Sequence, residues 1–412
     1  MNNQRLELVA DFYEYTMANG YFNKNMEDRI AYFDVFFRKV PDEGGYAIVA
    51  GLEQIINYIR NLSFDEEDIS YLRKQNKFSE EFLNYLENFR FTGDIWAIPE
   101  GTVVFPNEPL ITVKAPIIQA QLLETMLLLT TNHQSLIATK TSRIVREAQG
   151  RPVMEFGARR AHGINAAVEG ARAAIIGGAV GTSCTLSAKE FNVPASGTMA
   201  HSWIQSFDSE YEAFKTYAEL YPDDCTFLID TYNTIESGLP NAIKVFNEVL
   251  KPKGYRPKAV RLDSGDLAYL SKKVRKILDE AGYEDCKICA TNSLDEYLIK
   301  SLIEQDAKID LFGVGENLIT AKSEPVFGGV YKLVALEKDK KIVPKIKVSE
   351  NTAKVTNPSF KKVYRFYDNE TKKAIADVIT LADEIIDERE YMIFDPQNPW
   401  KKKNSRVFSP RS

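Results

Sequence analysis

The stretch Val260-Arg261-Leu262-Asp263-Ser264-Gly265-Asp266 decides the fold, because a short apolar strand in it runs directly into a polar loop that contains glycine. Apolar residues then recur at helical spacing from Leu267 to Ala281, so that they share one face of a helix. Asp266 is placed to cap the start of that helix and Gly282 its end. The polar loop therefore lies at the carboxyl end of a strand that is followed by a helix, the repeating unit of parallel α/β proteins.

Strands of this kind recur between residues 150 and 315, roughly 17 to 33 residues apart, which is the size of one strand-plus-helix unit. The predicted strands are Val153–Phe156, Gly178–Val180, Thr198–Ala200, Thr226–Ile229, Ala259–Leu262, Lys287–Ala290 and Asp310–Phe312. Seven strands that each end in polar or glycine residues predict an irregular TIM-like barrel.

The segments on either side of this region mix helical and strand patterns. Phe33–Phe37 has the composition of a strand, and lysine-rich strand patterns such as Lys361–Arg365 follow near the end of the chain. We therefore predict an α/β protein in which residues 126–334 form the TIM-like barrel. Residues 1–125 with 335–412 form an α+β domain built from the N-terminal and C-terminal segments.

The composition is that of a globular enzyme, with 44% hydrophobic and 27% charged residues in 412. The net charge of -6 argues against nucleic acid or an anionic membrane as the main partner, so an anionic substrate needs a local basic cluster. The first residues lack the apolar run of a signal peptide, and no apolar run reaches the roughly 18 residues of a membrane span. We predict a cytoplasmic protein.

The four cysteines are few for so long a chain, which fits a reducing compartment. Cys286 and Cys289 have C-x-x-C spacing, but they lie in an apolar run and no second pair of ligands is evident. We predict buried thiols and no protein metal site.

In a barrel the loops that follow the strands gather at one face, so polar residues far apart in the sequence converge there. The predicted strand ends carry Arg159, Ser183, His201, Asp230, Asp263, Thr291 and Gly315. We predict that these residues form one active site.

His201 is the most informative of the three histidines, because it stands at a predicted strand end between Thr198 and Ser202. A histidine in such a place acts as a nucleophile toward phosphate when its other ring nitrogen is held by an acceptor. Asp230 ends the next predicted strand, and we predict that its carboxylate holds the ring.

The segment Gly197–Ser202 resembles the segment around the phosphorylated histidine of nicotinate phosphoribosyltransferases. Further blocks are similar to that family in the same order, namely Asp11–Ala18, Phe36–Pro41, Glu155–Ala161, Val260–Asp266 and Gly328–Val334. One block is weak evidence, whereas several in order over most of the chain are specific. The resemblance implies that nicotinate and phosphoribosyl pyrophosphate form nicotinate mononucleotide and pyrophosphate, in NAD biosynthesis or salvage. It also implies coupled ATP hydrolysis through a phosphohistidine at His201.

The resemblance assigns residues around the pyridine ring as well. Phe156 and Tyr13 are similar to the aromatic pair that sandwiches the ring, a stack worth roughly 1 kcal/mol beyond area burial. In the family the tyrosine comes from a neighbouring subunit, which implies a homodimer or higher homo-oligomer with shared active sites. Ser183 stands where related nicotinamide enzymes carry an aspartate, which would repel a carboxylate 4 Å away by on the order of 4 kcal/mol. The serine therefore favours nicotinate.

The phosphate and ribose sites follow from the same resemblance. Arg159 matches an arginine that holds phosphate through a bidentate fork, Arg261 one near the ring substituent and ribose, and Asp263 the aspartate on the ribose hydroxyls. Gly313 and Gly315 match glycines whose N–H groups approach the 5′-phosphate. The remaining predicted substrate-binding residues are Ser202, Asp266 and Thr291. The predicted catalytic set is His201, Asp230, Arg261 and Asp263.

The chemistry implied by the resemblance needs no strong base, because the pyridine nitrogen already carries a lone pair. Catalysis then rests on positioning and on neutralising the leaving pyrophosphate with Mg²⁺ and arginines. Mg²⁺ is expected to arrive with phosphoribosyl pyrophosphate and with ATP, the co-substrate.

Two residues depart from the family pattern, since Cys184 stands where Asn is usual and Glu316 puts a carboxylate beside the predicted phosphate loop. Four alternatives are weighed: a nicotinamide phosphoribosyltransferase, a quinolinate phosphoribosyltransferase, a non-catalytic pyridine-nucleotide-binding protein, and an unrelated TIM-barrel aldolase or isomerase, which would need a lysine at a strand end. The quinolinate enzyme would need further basic residues for a second carboxylate. A protein without catalysis would be expected to lack His201, Asp230 or Arg159, all of which are present.

Overall fold

The computed structural model describes residues 6–348, 350, 355–368, 370–386, 390–395 and 398–406. Its α-helices are α1 Phe12–Phe22, α2 Leu52–Asn61, α3 Glu66–Lys74, α4 Glu80–Glu87, α5 Ile117–Gln121, α6 Glu124–Glu147, α7 Ile164–Ile176, α8 Thr185–Phe191, α9 His201–Gln205, α10 Glu210–Leu220, α11 Leu239–Val245, α12 Leu267–Glu280, α13 Glu296–Glu304 and α14 Glu316–Ile319. Its strands are β1 Ile30–Phe36, β2 Ala47–Ile48, β3 Asp94–Ala97, β4 Val103–Val104, β5 Ile111–Pro116, β6 Val153–Glu155, β7 Gly181–Thr182, β8 Thr226–Leu228, β9 Ala259–Leu262, β10 Lys287–Ala290, β11 Leu311–Val314, β12 Val330–Lys338, β13 Lys341–Pro344, β14 Lys361–Tyr367, β15 Ala374–Leu381, β16 Glu390–Asp395 and β17 Asn398–Arg406.

The chain divides into two compact units. The parallel unit is His133–Val326, and the antiparallel unit combines Met1–Asn132 with Phe327–Ser412. The sequence predicts that the two domains divide after residues 125 and 334. The boundaries between the two compact units lie within eight residues of these positions.

The parallel unit is built on a six-stranded parallel sheet with the order β7-β6-β11-β10-β9-β8. A helix follows each strand: α7 after β6, α8 after β7, α11 after β8, α12 after β9, α13 after β10 and α14 after β11. The strands β8 to β11 are buried over most of their length, as expected for parallel strands with helices packed around them. The result is a mixed α/β fold with a curled half-barrel sheet, which brings six strand ends to one edge.

The helix α12 follows its sequence pattern closely. It spans Leu267–Glu280, and the Asp266 carboxylate accepts a hydrogen bond from the Tyr269 N–H at 3.0 Å. Gly282 lies just beyond its end with φ +80°, a conformation that glycine adopts without steric cost. The loop before this helix therefore stands at the carboxyl end of β9, where the sequence had placed it.

Two of the seven predicted strands were wrong in position or in kind. The strand expected at Gly178–Val180 starts later, at Gly181, and the segment Thr198–Ala200 is extended chain outside the sheet. The Arg261 guanidinium binds the hydroxyl of Thr198 and the next carbonyl at 2.9 and 3.2 Å. The Arg261 side chain thus anchors this segment to β9.

The antiparallel unit holds a five-stranded sheet with the order β13-β12-β1-β5-β3, and the smaller pairs β2-β4, β14-β15 and β16-β17. The central strand β1 covers the predicted strand at residues 33–37 except for its last residue. Phe33 stacks on Tyr331 with ring centroids 4.7 Å apart. The buried Asp34 pairs with Lys361 at 2.8 Å, which satisfies a charge that would otherwise be costly in the core.

All four cysteines are free thiols, and Cys225, Cys286 and Cys289 are buried. Burial raises the pKa of the Cys286 and Cys289 thiols to about 12, so they are inert at neutral pH. Among the described residues, no helix has both the length and the apolar content needed to cross a bilayer.

Candidate active site

A cavity of about 220 Å³ opens at the carboxyl ends of β6, β9, β10 and β11 in the parallel unit. Its lining residues are Phe156, Arg159, Arg160, Arg261, Asp263, Thr291, Asn292, Ser293, Gly313, Gly315 and Glu316. Of the residues predicted from strand ends, four therefore line one cavity, namely Arg159, Asp263, Thr291 and Gly315, whereas Ser183, His201 and Asp230 are not among its lining residues.

Arg261 is the centre of the hydrogen-bond network at this edge. Its Nε donates to Thr291 Oγ1 at 3.0 Å, its Nη1 to Thr198 Oγ1 at 2.9 Å and its Nη2 to Asp263 Oδ1 at 2.9 Å. The planar fork holds these three partners in fixed directions, which a flexible ammonium group would not do. Arg261 therefore joins the ends of β9 and β10 to the segment that leads into His201.

Asp263 is held as an anion. Burial alone would raise the pKa of its carboxyl, but hydrogen bonds from Thr291 and Arg261 outweigh that effect and place the pKa below its ordinary value. Its Oδ2 lies 3.6 Å from His201 Nε2. The carboxylate therefore stands between the arginine and the imidazole.

His201 is the first residue of α9, and its Nδ1 lies 3.1 Å from Thr231 Oγ1. The prediction that Asp230 holds this ring was wrong. The Asp230 Oδ2 instead accepts the Asp263 N–H at 2.8 Å and the Ser264 hydroxyl at 2.6 Å. Both residues lie in the loop after β8, where the Asp230 side chain meets the loop after β9 and the Thr231 side chain meets the imidazole. Asp230 thus orients Asp263, and Thr231 orients His201.

Phe156 lies against the glycine of β11. A Cβ atom on Gly313 would lie 2.6 Å from Phe156 Cδ2 and 2.8 Å from Thr291 Cγ2, so no larger residue fits there without displacing the ring. At Gly157, a Cβ would meet Ile319 Cβ at 2.6 Å. These close approaches let the turn after β6 pack on β11 and α14. The approach of the glycine N–H groups to a phosphate stays a prediction.

The other predicted residues occupy more peripheral places. Arg159 is exposed on the turn after β6 and lines the cavity, and Ser202 is exposed in the first turn of α9. The Asp266 carboxylate caps α12, as described above. Ser183 is exposed next to the end of β7, and its N–H donates to Glu155 O at 2.9 Å. Tyr13 belongs to the antiparallel unit, on α1, with 44% of its surface exposed.

The cavity edge also carries backbone strain. Asn292 and Ser293 have φ values of +83° and +49°, although neither is glycine. The Ser293 carbonyl is held by Asn317 Nδ2 at 2.8 Å, which helps to keep this conformation in place. Such strain recurs where a loop is held ready for a ligand.

Glu316, which departs from the family pattern, also lines the cavity. Its Oε1 lies 3.2 Å from Lys322 Nζ, and its Oε2 lies 4.0 Å from Arg160 Nε. These cations offset the negative charge that the carboxylate adds beside the predicted phosphate loop.

Several residues at this edge were missed by the sequence analysis. Thr182, Thr231 and Ser264 follow predicted strand ends, whereas Glu155 and Thr198 fall within predicted strands. The sequence offers one signal for such residues, a polar side chain within an apolar strand pattern. This signal is strongest for Glu155.

The half barrel, the cavity at its strand ends and the cluster of arginine, aspartate and histidine define an α/β enzyme whose active site is built from loops after parallel strands. Models of three parts of one family match this chain: the nicotinate phosphoribosyltransferase N-terminal domain at residues 8–132, the family model at residues 152–380 and the C-terminal domain at residues 360–411. The chain therefore belongs to the nicotinate phosphoribosyltransferase family.

This chain is similar to individual relatives over most of their length. A nicotinate phosphoribosyltransferase of Bacillus subtilis is 47% identical over 399 residues, which is 97% of this chain and 81% of that protein. A nicotinate phosphoribosyltransferase of Caenorhabditis elegans is 36% identical over 92% of this chain and 76% of its own. The crystal structure of human nicotinic acid phosphoribosyltransferase is similar with a TM-score of 0.85 and 27% identity, over 97% of this chain and 87% of that one.

Proposed function

We propose that this chain catalyses the formation of nicotinate mononucleotide and pyrophosphate from nicotinate and phosphoribosyl pyrophosphate. The observation that carries the proposal is the linked set of His201, Asp263 and Arg261 beside the cavity that Phe156 and Arg159 line. It combines an acceptor for ribose hydroxyls, cations for phosphate and a ring for stacking. Relatives that match most of the chain carry the name of this activity, which supports the assignment.

In the proposed transfer, the pyridine nitrogen uses its lone pair to form a bond to C1 of the ribose. The C1–O bond to pyrophosphate breaks, the leaving group takes the bonding electrons, and no proton has to move. The Asp263 carboxylate, whose pKa is lowered, holds the ribose hydroxyls and faces the positive charge that develops on the sugar. Arg159 neutralises phosphate, and the N–H groups of Gly313 and Gly315 bind the 5′-phosphate.

We assign the ATP-linked step to His201 Nε2. When Nδ1 donates its proton to Thr231, the lone pair of the ring lies on Nε2. Attack of Nε2 on the γ-phosphorus of ATP releases ADP and forms a phosphohistidine, which water later hydrolyses to phosphate. Asp263 lies 3.6 Å from the same nitrogen, so one carboxylate contacts both the ribose site and the phosphorylated ring.

Mg²⁺ enters as part of phosphoribosyl pyrophosphate and of ATP. In such sites the ion is bound by substrate phosphates together with one or two protein carboxylates, and it keeps several waters. Asp230 Oδ1 is a buried carboxylate oxygen without a hydrogen-bond partner, so we assign Asp230 as a carboxylate available to this ion. Tests of Asp230 variants should therefore vary the Mg²⁺ concentration.

We further propose a homodimer or higher homo-oligomer, in which Tyr13 completes the ring stack of a second copy. The exposure of Tyr13 supports this proposal. The four free cysteines support a reducing, cytoplasmic location. The order of parallel strands and helices supports the interpretation of the half barrel as an irregular TIM-like barrel.

The direct test is incubation of the purified chain with nicotinate, phosphoribosyl pyrophosphate and Mg-ATP, followed by chromatography for nicotinate mononucleotide. A parallel reaction with nicotinamide tests the main alternative, and a reaction without ATP measures the coupling. Product from nicotinamide alone would overturn the assignment of the base, and no product from either base would overturn the proposed activity.

A further inference from the structure

Glu155, the last residue of β6, is a completely buried carboxyl that the chemistry above does not use. Its Oε1 accepts the Gly157 N–H, and its Oε2 accepts the Thr182 hydroxyl at 2.6 Å. Both oxygens are therefore engaged, one by the turn that carries Phe156 and Arg159 and the other by the neighbouring strand β7.

Thr182 continues this connection into the loop after β7. Its Oγ1 accepts the Cys184 N–H at 2.9 Å, while the Ser183 N–H donates to Glu155 O at 2.9 Å. The Ser183 N–H is thus bound by the backbone of Glu155, and the Cys184 N–H is bound by the Thr182 side chain. Ser183 is the residue to which the choice of pyridine base was assigned.

Burying a carboxyl group in a protein core costs free energy, because the group loses its contacts with water. Burial raises the pKa of Glu155, and the hydrogen bonds from Thr182 and Gly157 offset part of that shift. An apolar residue of similar size would avoid the desolvation cost but would leave the Gly157 N–H and the Thr182 hydroxyl without an acceptor. The Glu155 carboxyl therefore fixes the conformation of the two loops and does not primarily stabilise the core.

We propose that Glu155 and Thr182 are positioning residues for base recognition, which lock the Phe156 turn and the Ser183 loop in the register that accepts a pyridine carboxylate. The proposal rests on the proposed function, since it concerns the nicotinate subsite of that reaction. Neither residue contacts the reacting atoms. The effect of Thr182 falls on binding of the base and on the choice between nicotinate and nicotinamide, whereas Glu155 also holds the turn that carries Arg159.

The test compares Thr182→Val with Thr182→Ser in the full-length protein. Loss of the hydroxyl in Thr182→Val should raise KM for nicotinate roughly tenfold and reduce the preference for nicotinate over nicotinamide. KM for phosphoribosyl pyrophosphate should stay within about twofold, and Thr182→Ser, which keeps the hydroxyl, should restore nicotinate KM. Glu155→Gln, which keeps the size but removes one acceptor, should change the same two quantities as Thr182→Val.

The matched control is Thr141→Val, because Thr141 is also fully buried in the parallel unit and its hydroxyl donates to a helix carbonyl at 2.8 Å. It should lower the melting temperature without a change in base preference. Backbone hydrogen exchange of the unliganded protein gives a readout that needs no activity: Thr182→Val should speed exchange at Ser183 and Cys184. Unchanged exchange, or equal base selectivity in Thr182→Val and Thr182→Ser, would overturn the proposal. An inactive wild-type chain would instead overturn the proposed function.

Discussion

Arg261 and Asp263, two residues apart at the end of β9, are joined by an Nη2–Oδ1 hydrogen bond of 2.9 Å. The same guanidinium reaches Thr198 and Thr291, so a residue expected to contact substrate is also the main link among three segments of the site. The network couples the Asp263 carboxylate, which we propose binds the ribose hydroxyls, to the segment that precedes His201. This coupling leads to the first prediction.

Arg261→Lys should lower kcat/KM by about 100-fold, because a lysine keeps the charge but cannot hold three partners with a planar fork. Steady-state kinetics with nicotinate as the varied substrate measures the effect. The matched control is Arg256→Lys, which alters an exposed arginine fork on Asp285 in the same unit. Equal losses in the two variants would show that the fork at Arg261 has no special role.

His201→Ala should abolish the phosphoenzyme and the stimulation by ATP, while slow transfer without ATP persists. The reason is that the variant removes the nucleophile but leaves Arg261 and Asp263 in place. Labelling with γ-³²P ATP and product formation with and without ATP are the measurements. Thr231→Val, which removes the partner of Nδ1, should slow labelling without abolishing it. Full ATP stimulation in His201→Ala would remove the assigned role.

Ser183→Asp should shift the preference from nicotinate toward nicotinamide by about 100-fold, because a second carboxylate near the base repels nicotinate and accepts an amide N–H. The ratio of kcat/KM for the two bases is the quantity to measure. Ser183→Asn has nearly the same shape without the charge and is the control. If both variants changed the ratio equally, size rather than charge would determine the choice.

The raised pKa of Glu108 leads us to expect that the stability of the antiparallel unit depends on pH. Burial, followed by a hydrogen bond with Asp377, raises the pKa of Glu108 from 4.5 to about 8, and Arg365 Nε donates to Asp377 Oδ1 at 2.8 Å. Between pH 4.5 and pH 8, Glu108 is therefore protonated in the folded protein and ionised in the unfolded chain, so that the folded protein binds one more proton. The free energy of unfolding should therefore fall as pH rises from 4.5 to 8, by at most about 1.4 kcal/mol per pH unit.

Glu108→Gln should flatten this part of the stability profile, measured by denaturant unfolding at pH 5, 6, 7 and 8. Glu80→Gln is the matched control, since Glu80 forms an exposed pair with Arg73 and its pKa is lowered rather than raised. A slope that survives in Glu108→Gln would assign the pH dependence to another group.

Much of the fold could be predicted from local pattern. The strands β9 and β10 coincide with their predicted residues, and the caps of α12 at Asp266 and Gly282 were placed correctly. Patterns of this kind depend on neighbours in the chain, so they can be recognised without a structure. The segment Thr198–Ala200 failed because its partner is a side chain from another strand, which no local periodicity reports.

The sequence by itself determined the alternation of strands and helices, the order of the motif blocks and, through them, the family and the expected reaction. Only the tertiary structure decided which atoms meet: Thr231 rather than Asp230 pairs with the imidazole, and Glu155 ties the turn after β6 to the loop after β7. The physical reason is that residue types and periods are properties of the chain, whereas hydrogen-bond partners depend on strand register and side-chain direction. A shift of one residue reverses that direction, and the partners come from segments distant in the sequence.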